Sequence, residues 1–170
     1  MNDWHEPAAA LIDAFRAVAQ ANHDLRDLAD AQRRAISAMD ARSLEAINHR
    51  QRQAGARLAD AEALRRQHAQ RLCHALGLPD VATLPDLARA LGAHDPALGR
   101  SLAQAAEDAR RAILDCQSKQ RVVHAAATGV LLHLDGLARQ LLARLNTAGL
   151  YAPSGALAGN ARAAGVDVVS

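Results

Sequence analysis

The sequence predicts an all-α fold: an antiparallel bundle or coiled coil of three long helices, with a short connector helix and a flexible C-terminal tail. Composition points there first. Alanine and leucine supply 42 and 24 of the 170 residues, whereas valine and isoleucine together number 12. The aromatics are Trp4, Phe15 and Tyr151. Sheets draw on β-branched and aromatic residues at alternating positions, and this chain has too few of either. Periodicity points the same way, because the larger apolar residues recur in steps of three and four along three long stretches. Turn and stop signals then divide residues 1–150, the helical bundle domain, into helices of about 4–39, 44–76, 84–91 and 96–145. Residues 151–170 form the tail.

In the first helix Asp3 and Glu6 have the spacing of a capping box, and Pro7 is tolerated in a first turn. Leu11, Phe15, Val18, Leu25, Ala29, Ile36 and Met39 make one row, with Asn22 and Gln32 filling two further places in it. This is the repeat of helices that pack lengthwise, knobs into holes. After Met39 the row loses phase, since Leu44 and Ile47 stand where Ser43 and Ala46 would continue it. A tight turn over Asp40–Ser43, with Asp40 or Ser43 as the next N-cap, accounts for the break; a single bent helix is the alternative. The second row is Leu44, Ile47, Gln51, Ala54, Leu58, Ala61, Leu64, Leu72 and Leu76. The second helix is rich in arginine and the first carries acids, which favours an antiparallel hairpin flanked by ion pairs, each weak by itself. Gly77 is the stop, and Pro79 follows it.

The connector holds Thr83-Leu84-Pro85-Asp86, an N-cap, a proline in the first turn and a capping acid. Leu84, Leu87, Ala88 and Leu91 give it one apolar face, closed by Gly92. Asp95-Pro96 restarts a helix by the same logic. About 50 residues then make roughly 75 Å of helix at 1.5 Å each. The two earlier helices would each reach roughly 50 Å, so the last one overhangs them or bends near Gly129 or Gly136. From Val130 its apolar face widens, adding Leu131, Leu132, Leu142 and Leu145 to the row of Leu134, Leu137 and Leu141. A helix end too apolar for its two partners needs a further surface to cover it. The glycine-rich stretch beyond Asn146 is expected to be disordered alone and to order on binding.

Several kinds of chemistry find no footing. No E-x-x-H, H-x-x-x-H or HExxH occurs among the eight histidines, so no metal site is expected. No catalytic residues and no cofactor are expected either: a nucleophile elbow and a phosphate-binding glycine loop are both absent. Cys73 and Cys116, without a C-x-x-C, read as two small thiols in a reducing compartment. The arginines of the second helix scatter around it with no aromatic between them, which argues against nucleic acid. No stretch approaches the ~18 apolar residues of a membrane span, so no stable membrane insertion is expected. The first residues show no signal peptide, and a cytoplasmic location is expected. Leu132-His133-Leu134-Asp135-Gly136 distantly resembles a phosphotransfer histidine motif, but Asp135 stands where a lysine belongs.

The order of elements resembles the FlgN family of flagellar type III export chaperones. The resemblance rests on the arginine-rich second helix ending near Leu76–Leu78, the short helix at Thr83–Leu87 and the long final helix. It is sharpest over Gln120–Gly155, where the leucine seam is followed by Leu150-Tyr151-Ala152-Pro153-Ser154-Gly155. Gln120 and Thr128 stand where that family tends to place asparagines.

The resemblance implies a cytoplasmic, non-enzymatic chaperone that holds the amphipathic terminal helices of flagellar hook–filament junction proteins in an export-competent state. It implies the export apparatus as a second partner. An exposed helix face is what such clients need. The candidate client-binding residues are therefore Val130, Leu134, Leu137, Leu141, Leu142, Leu145 and Leu150. Tyr151 matches the family's C-terminal tyrosine, which implies a role in docking at the export gate. A self-associating coiled coil, or a homodimer of client-free copies, is the alternative use of the same face. A phosphotransfer-like signalling bundle is the third reading.

Overall fold

The computed structural model describes residues 4–79 and 82–147 of the chain. Among these residues every regular element is a helix: α1 His5–Ser37, α2 Ala41–Ala75, α3 Leu84–His94 and α4 Pro96–Thr147. The chain divides into two compact units, Met1–Ala127 and Thr128–Ser170, and α4 contributes to both.

In the first unit the side-chain partners show the helix directions. Gln32 of α1 meets Asn48 and Gln51 of α2, Asp24 meets Arg57, and Phe15 lies under Arg65. Partner numbers rise in α2 as they fall in α1, so the two helices run antiparallel. Arg26 pairs with Asp115 and Asp30 with Lys119, so α4 runs parallel to α1. Both of those ion pairs are 3.3 Å. The ion pairs expected between α1 and α2 reduce, among the described residues, to Asp24–Arg57 at 3.5 Å. Packing holds the hairpin instead. Leu11 and Val18 of α1, Leu72 of α2, Leu91 of α3 and Leu102 of α4 are fully enclosed in one cluster. Each enclosed leucine contributes ~1.5–3 kcal/mol, more than an exposed ion pair. A second cluster joins Leu25, Leu28, Ala54 and Cys116.

The helix ends follow local chemistry, with corrections to the sequence reading. The first helix stops at Ser37 rather than at residue 39. Met39 takes φ 53°, and the N–H groups of Met39 and Asp40 donate to the carbonyls of Ile36 and Ala35. This is a Schellman closure, which turns Met39 out of the apolar row and leaves it 62% exposed. The same pattern ends α2, where Gly77 has φ 66° and Leu78 N–H donates to the Cys73 carbonyl. Asp40, not Ser43, caps α2: its carboxylate accepts from the Ser43 N–H at 3.0 Å and the Ser43 hydroxyl at 2.6 Å. The second helix accordingly begins at Ala41 rather than 44. Left-handed backbone costs an L-residue ~1–2 kcal/mol and glycine almost nothing. Met39→Gly is expected to stabilise the protein by about 0.5–1 kcal/mol after the looser unfolded chain is counted, read as a raised midpoint in urea.

At the start of α1 the N-cap is Trp4, with no side-chain capping bond, and Asp3 lies outside the described residues. Trp4 stacks on His5 at 4.1 Å and on His94 at 5.6 Å, tying the start of α1 to the end of α3. In α2 the row turns inward at Arg65 rather than Leu64, which is exposed. The Arg65 guanidinium lies 5.5 Å from the Phe15 ring centre and pairs with Glu62, so a cation closes the row.

The connector matches its sequence signals except at its end. Asp86 accepts from the Thr83 N–H at 3.1 Å and the Thr83 hydroxyl at 2.6 Å. Those two bonds, aided by Arg89, hold the Asp86 carboxyl below the usual aspartate range. A depressed carboxylate stabilises the fold above its unfolded value, and that contribution disappears as pH falls through the folded value. Acid titration of Asp86→Asn is therefore expected to lose less stability below about pH 4 than the parent chain does. The helix does not close at Gly92 but runs on to His94. Gly92 instead meets Gly99 of α4, and a Cβ built on Gly99 would lie 2.7 Å from the Gly92 Cα. The two glycines let α3 and α4 cross with their backbones in contact. Asp95 caps α4, accepting from the Ala97 and Leu98 N–H groups at 2.8 and 3.1 Å.

Candidate functional site

Among the described residues no group of three His, Cys, Asp or Glu side chains is placed to hold a metal ion. His133 is exposed on α4, and the acid two residues on, Asp135, is paired with Arg139 at 2.7 Å. A carboxylate there repels a phosphoryl group rather than steadying it. Cys73 and Cys116 are both buried. Burial first, then Asp115, pushes the Cys116 thiol above its ordinary value, which keeps it protonated and unreactive. The arginines of α2 divide between structure and solvent: Arg57 and Arg65 are engaged, and Arg50, Arg52, Arg66 and Arg71 are exposed around the helix.

The concavities of the first unit are open grooves. One of about 540 Å³ is lined by Phe15, Val18, Leu84, Ala106 and Ile113, with Glu62, Arg65, Glu107 and Arg110 at its sides. Another of about 710 Å³ is lined by Leu25, Val123 and Ala127 with the amides of Gln32, Asn48, Gln51 and Gln120. There Gln51 donates to Gln32 at 2.9 Å and Gln32 to Asn48 at 3.1 Å, so these row-filling polar residues satisfy one another. Neither groove brings together a nucleophile and a base.

The second unit carries the largest concentration of exposed apolar side chains among the described residues. Here α4 continues without interruption through Gly129 and Gly136. Leu131, Leu132, Leu134, Leu137, Leu141, Leu142 and Leu145 are exposed, from 37% at Leu145 to 68% at Leu132, and Val130 is half-buried. At 100° per residue, all of these but Leu132 fall within an arc of roughly 140°. Of the sequence-derived candidates, Val130, Leu134, Leu137, Leu141, Leu142 and Leu145 thus share one face. Leu150 and Tyr151 lie outside the described residues, as does the tail. Leu131 belongs to the same face although the sequence reading left it out of the site. Its signal was legible, since it stands three residues before Leu134 and eleven before Leu142.

A leucine face exposed among the described residues suits the binding of another helix. The family comparison decides the class. The sequence model of the family described as FlgN protein matches residues 5–159. The chain belongs to the FlgN family. FlgN proteins are flagellar export chaperones and not enzymes, and the matched span takes in the whole leucine face, Leu150 and Tyr151. No curated protein and no solved structure matches the chain. Among the described residues no helix is long and apolar enough to cross a membrane.

Proposed function

We propose that this FlgN-family protein holds the amphipathic terminal helices of hook–filament junction proteins on the leucine face of α4, in the cytoplasm, until they are exported. The exposure of Leu131–Leu145 carries this reading. Those leucines are helical in the free chain, so the protein does not pay the entropy of forming that helix when the client arrives. Three or four leucine anchors of ~1.5–3 kcal/mol each, less association costs, give micromolar to nanomolar affinity, from which a client can still be released. Leu150 adds a further client contact in this reading, and Tyr151 carries the contact with the export gate.

The test is light scattering coupled to size exclusion on the full chain, alone and with a purified junction protein. A chaperone converts to a heterocomplex with its client. A chain whose mass doubles with concentration and ignores the client is instead the self-associating coiled coil. Tyr151→Ala is expected to retain the client and to lose secretion of it in cells; loss of client binding would place Tyr151 in the client site.

A further inference from the structure

Resting on the proposed function, we infer that the open groove between α2 and α4 in the first unit takes a second contact with the client. Its occupant is an amphipathic helix, aliphatic toward α3 and acidic toward the α1–α2 turn. The two apolar concavities of the first unit are successive stretches of that one groove. Val18, Leu25 and Gln32 follow one another at intervals of seven along its floor on α1. Glu62, Gly55 and Asn48 do so on its α2 wall, and Ala106, Ile113 and Gln120 on its α4 wall. Residues seven apart lie on nearly the same face of a helix, so floor and walls continue in register from one stretch to the next. The near end is already filled by α3. That helix runs antiparallel to α4, since Gly92 meets Gly99 whereas Leu84 and Ala88 border the groove with Ala103 and Ala106. Its Leu87 and Leu91 are enclosed with Leu11 and Leu102. Past Leu84 the groove stays open, and from Val18 to Gln32 it runs for roughly 21 Å, room for about 15 residues of helix.

Continuity with α3 makes the occupant a helix, because the heptad register that seats one helix at the near end is unbroken beyond it. Gly55 makes room for it. This glycine stands in the interior of α2, where alanine is the better helix former, and a Cβ built on it meets nothing within 4 Å. No neighbour in the free chain calls for a bare backbone there, so the space serves a helix that arrives from outside. Charge sets the chemistry of that helix. In the near stretch Glu62 is paired with Arg65, and Glu107 with Arg110 and Arg111. The far stretch is lined by Arg52 and His124, with Arg121 beside them, and by no acid among the described residues. Arg52 and Arg121 form no ion pair among the described residues. The amides of Gln32, Asn48 and Gln51 bond to one another, which leaves Gln120 for the occupant. Carboxylates at this end of the helix meet these groups, whereas an all-aliphatic helix buries them unpaired. Neither the end of α4 nor residues 148–170 match. Beyond Thr128 α4 carries Asp135 against Arg139 and Arg144, and residues 148–170 carry Asp167 against Arg162. The occupant therefore belongs to another protein, and the client is the partner whose amphipathic helices the proposed function already brings.

Photo-cross-linking on the full chain tests this, with a purified full-length junction protein as the probe. Benzoylphenylalanine replaces Leu114, exposed at the near stretch, in one variant and His124, at the far stretch, in another. Both positions are expected to link to one client stretch of about 15 residues, with its acidic end at His124. In parallel, Gly55→Trp fills the groove, and Arg52→Glu with Arg121→Glu reverses its charge. Each is expected to weaken client binding roughly tenfold, the charge reversal less so as salt rises, while the urea midpoint of the free chain does not fall. Links to separate client stretches, no link in a complex that forms, or parent-like binding by either variant overturns the groove contact and leaves the chaperone reading standing. Links to this chain itself hand the groove to a second copy or to residues 148–170, and also overturn it. A junction protein that binds neither the variants nor the parent overturns both.

Discussion

Replacing Leu137, Leu141 and Leu145 together with aspartate is expected to abolish client binding while the helical circular dichroism stays nearly unchanged. Each of these leucines is exposed in the free chain, so the folded state loses little beyond a few tenths of a kcal/mol of helix propensity per site. The complex loses far more. Three anchors at ~1.5–3 kcal/mol amount to about 5 kcal/mol or more, which is over a thousandfold in Kd before the cost of burying carboxylates is counted. Titration calorimetry reads the affinity and thermal melting reads the fold. A cooperative loss of stability of several kcal/mol in this variant would show the leucines to be core, and the face would then have no client to explain.

Gly99→Ala is expected to destabilise the fold by about 1–3 kcal/mol, whereas Gly92→Ala is nearly neutral. The asymmetry comes from what a methyl group would meet. On Gly99 it lies 2.7 Å from the Gly92 Cα and 2.9 Å from the Gly92 N and the Ala88 carbonyl oxygen, all backbone atoms. Backbone cannot rotate aside, so α3 must lift from α4, and Leu87, Leu91 and Leu102 lose part of their enclosure. On Gly92 the nearest atom is the Gly99 Cα at 4.0 Å, an ordinary contact. Alanine is the better helix former by up to ~1 kcal/mol, a gain that is small at Gly92 in the last turn of α3 and that only reduces the cost of strain at Gly99. Urea denaturation of the two variants side by side distinguishes them. Equal midpoints would mean that the crossing opens at little cost.

Much of this fold is written in local signals. The Thr83–Asp86 cap, the restart at Asp95-Pro96 and the stop at Gly77 each act through groups two to five residues apart, so reading along the chain finds them. Where distant residues compete, the same reading fails. Leu64 and Arg65 fit the apolar row almost equally by spacing, and the presence of Phe15 from another helix decides that the arginine turns in. Gly92 looks like a helix stop until Gly99 is placed against it. Met39 looks like a core residue, but the closing bonds of α1 require a left-handed backbone there and carry its side chain outward.

The candidate site shows the same division. Periodicity alone identified a helix whose apolar face widens after Val130, because that pattern depends only on 3.6 residues per turn. The FlgN family resemblance was likewise carried by the sequence, and the family match over residues 5–159 bears it out. Only the tertiary structure decided that the leucines from Leu131 to Leu145 stand in solvent while Leu102, Ala105, Ala109 and Cys116 are enclosed. Periodicity says which side chains share a face of a helix; whether that face is covered depends on neighbours far away in sequence, and no local pattern records them.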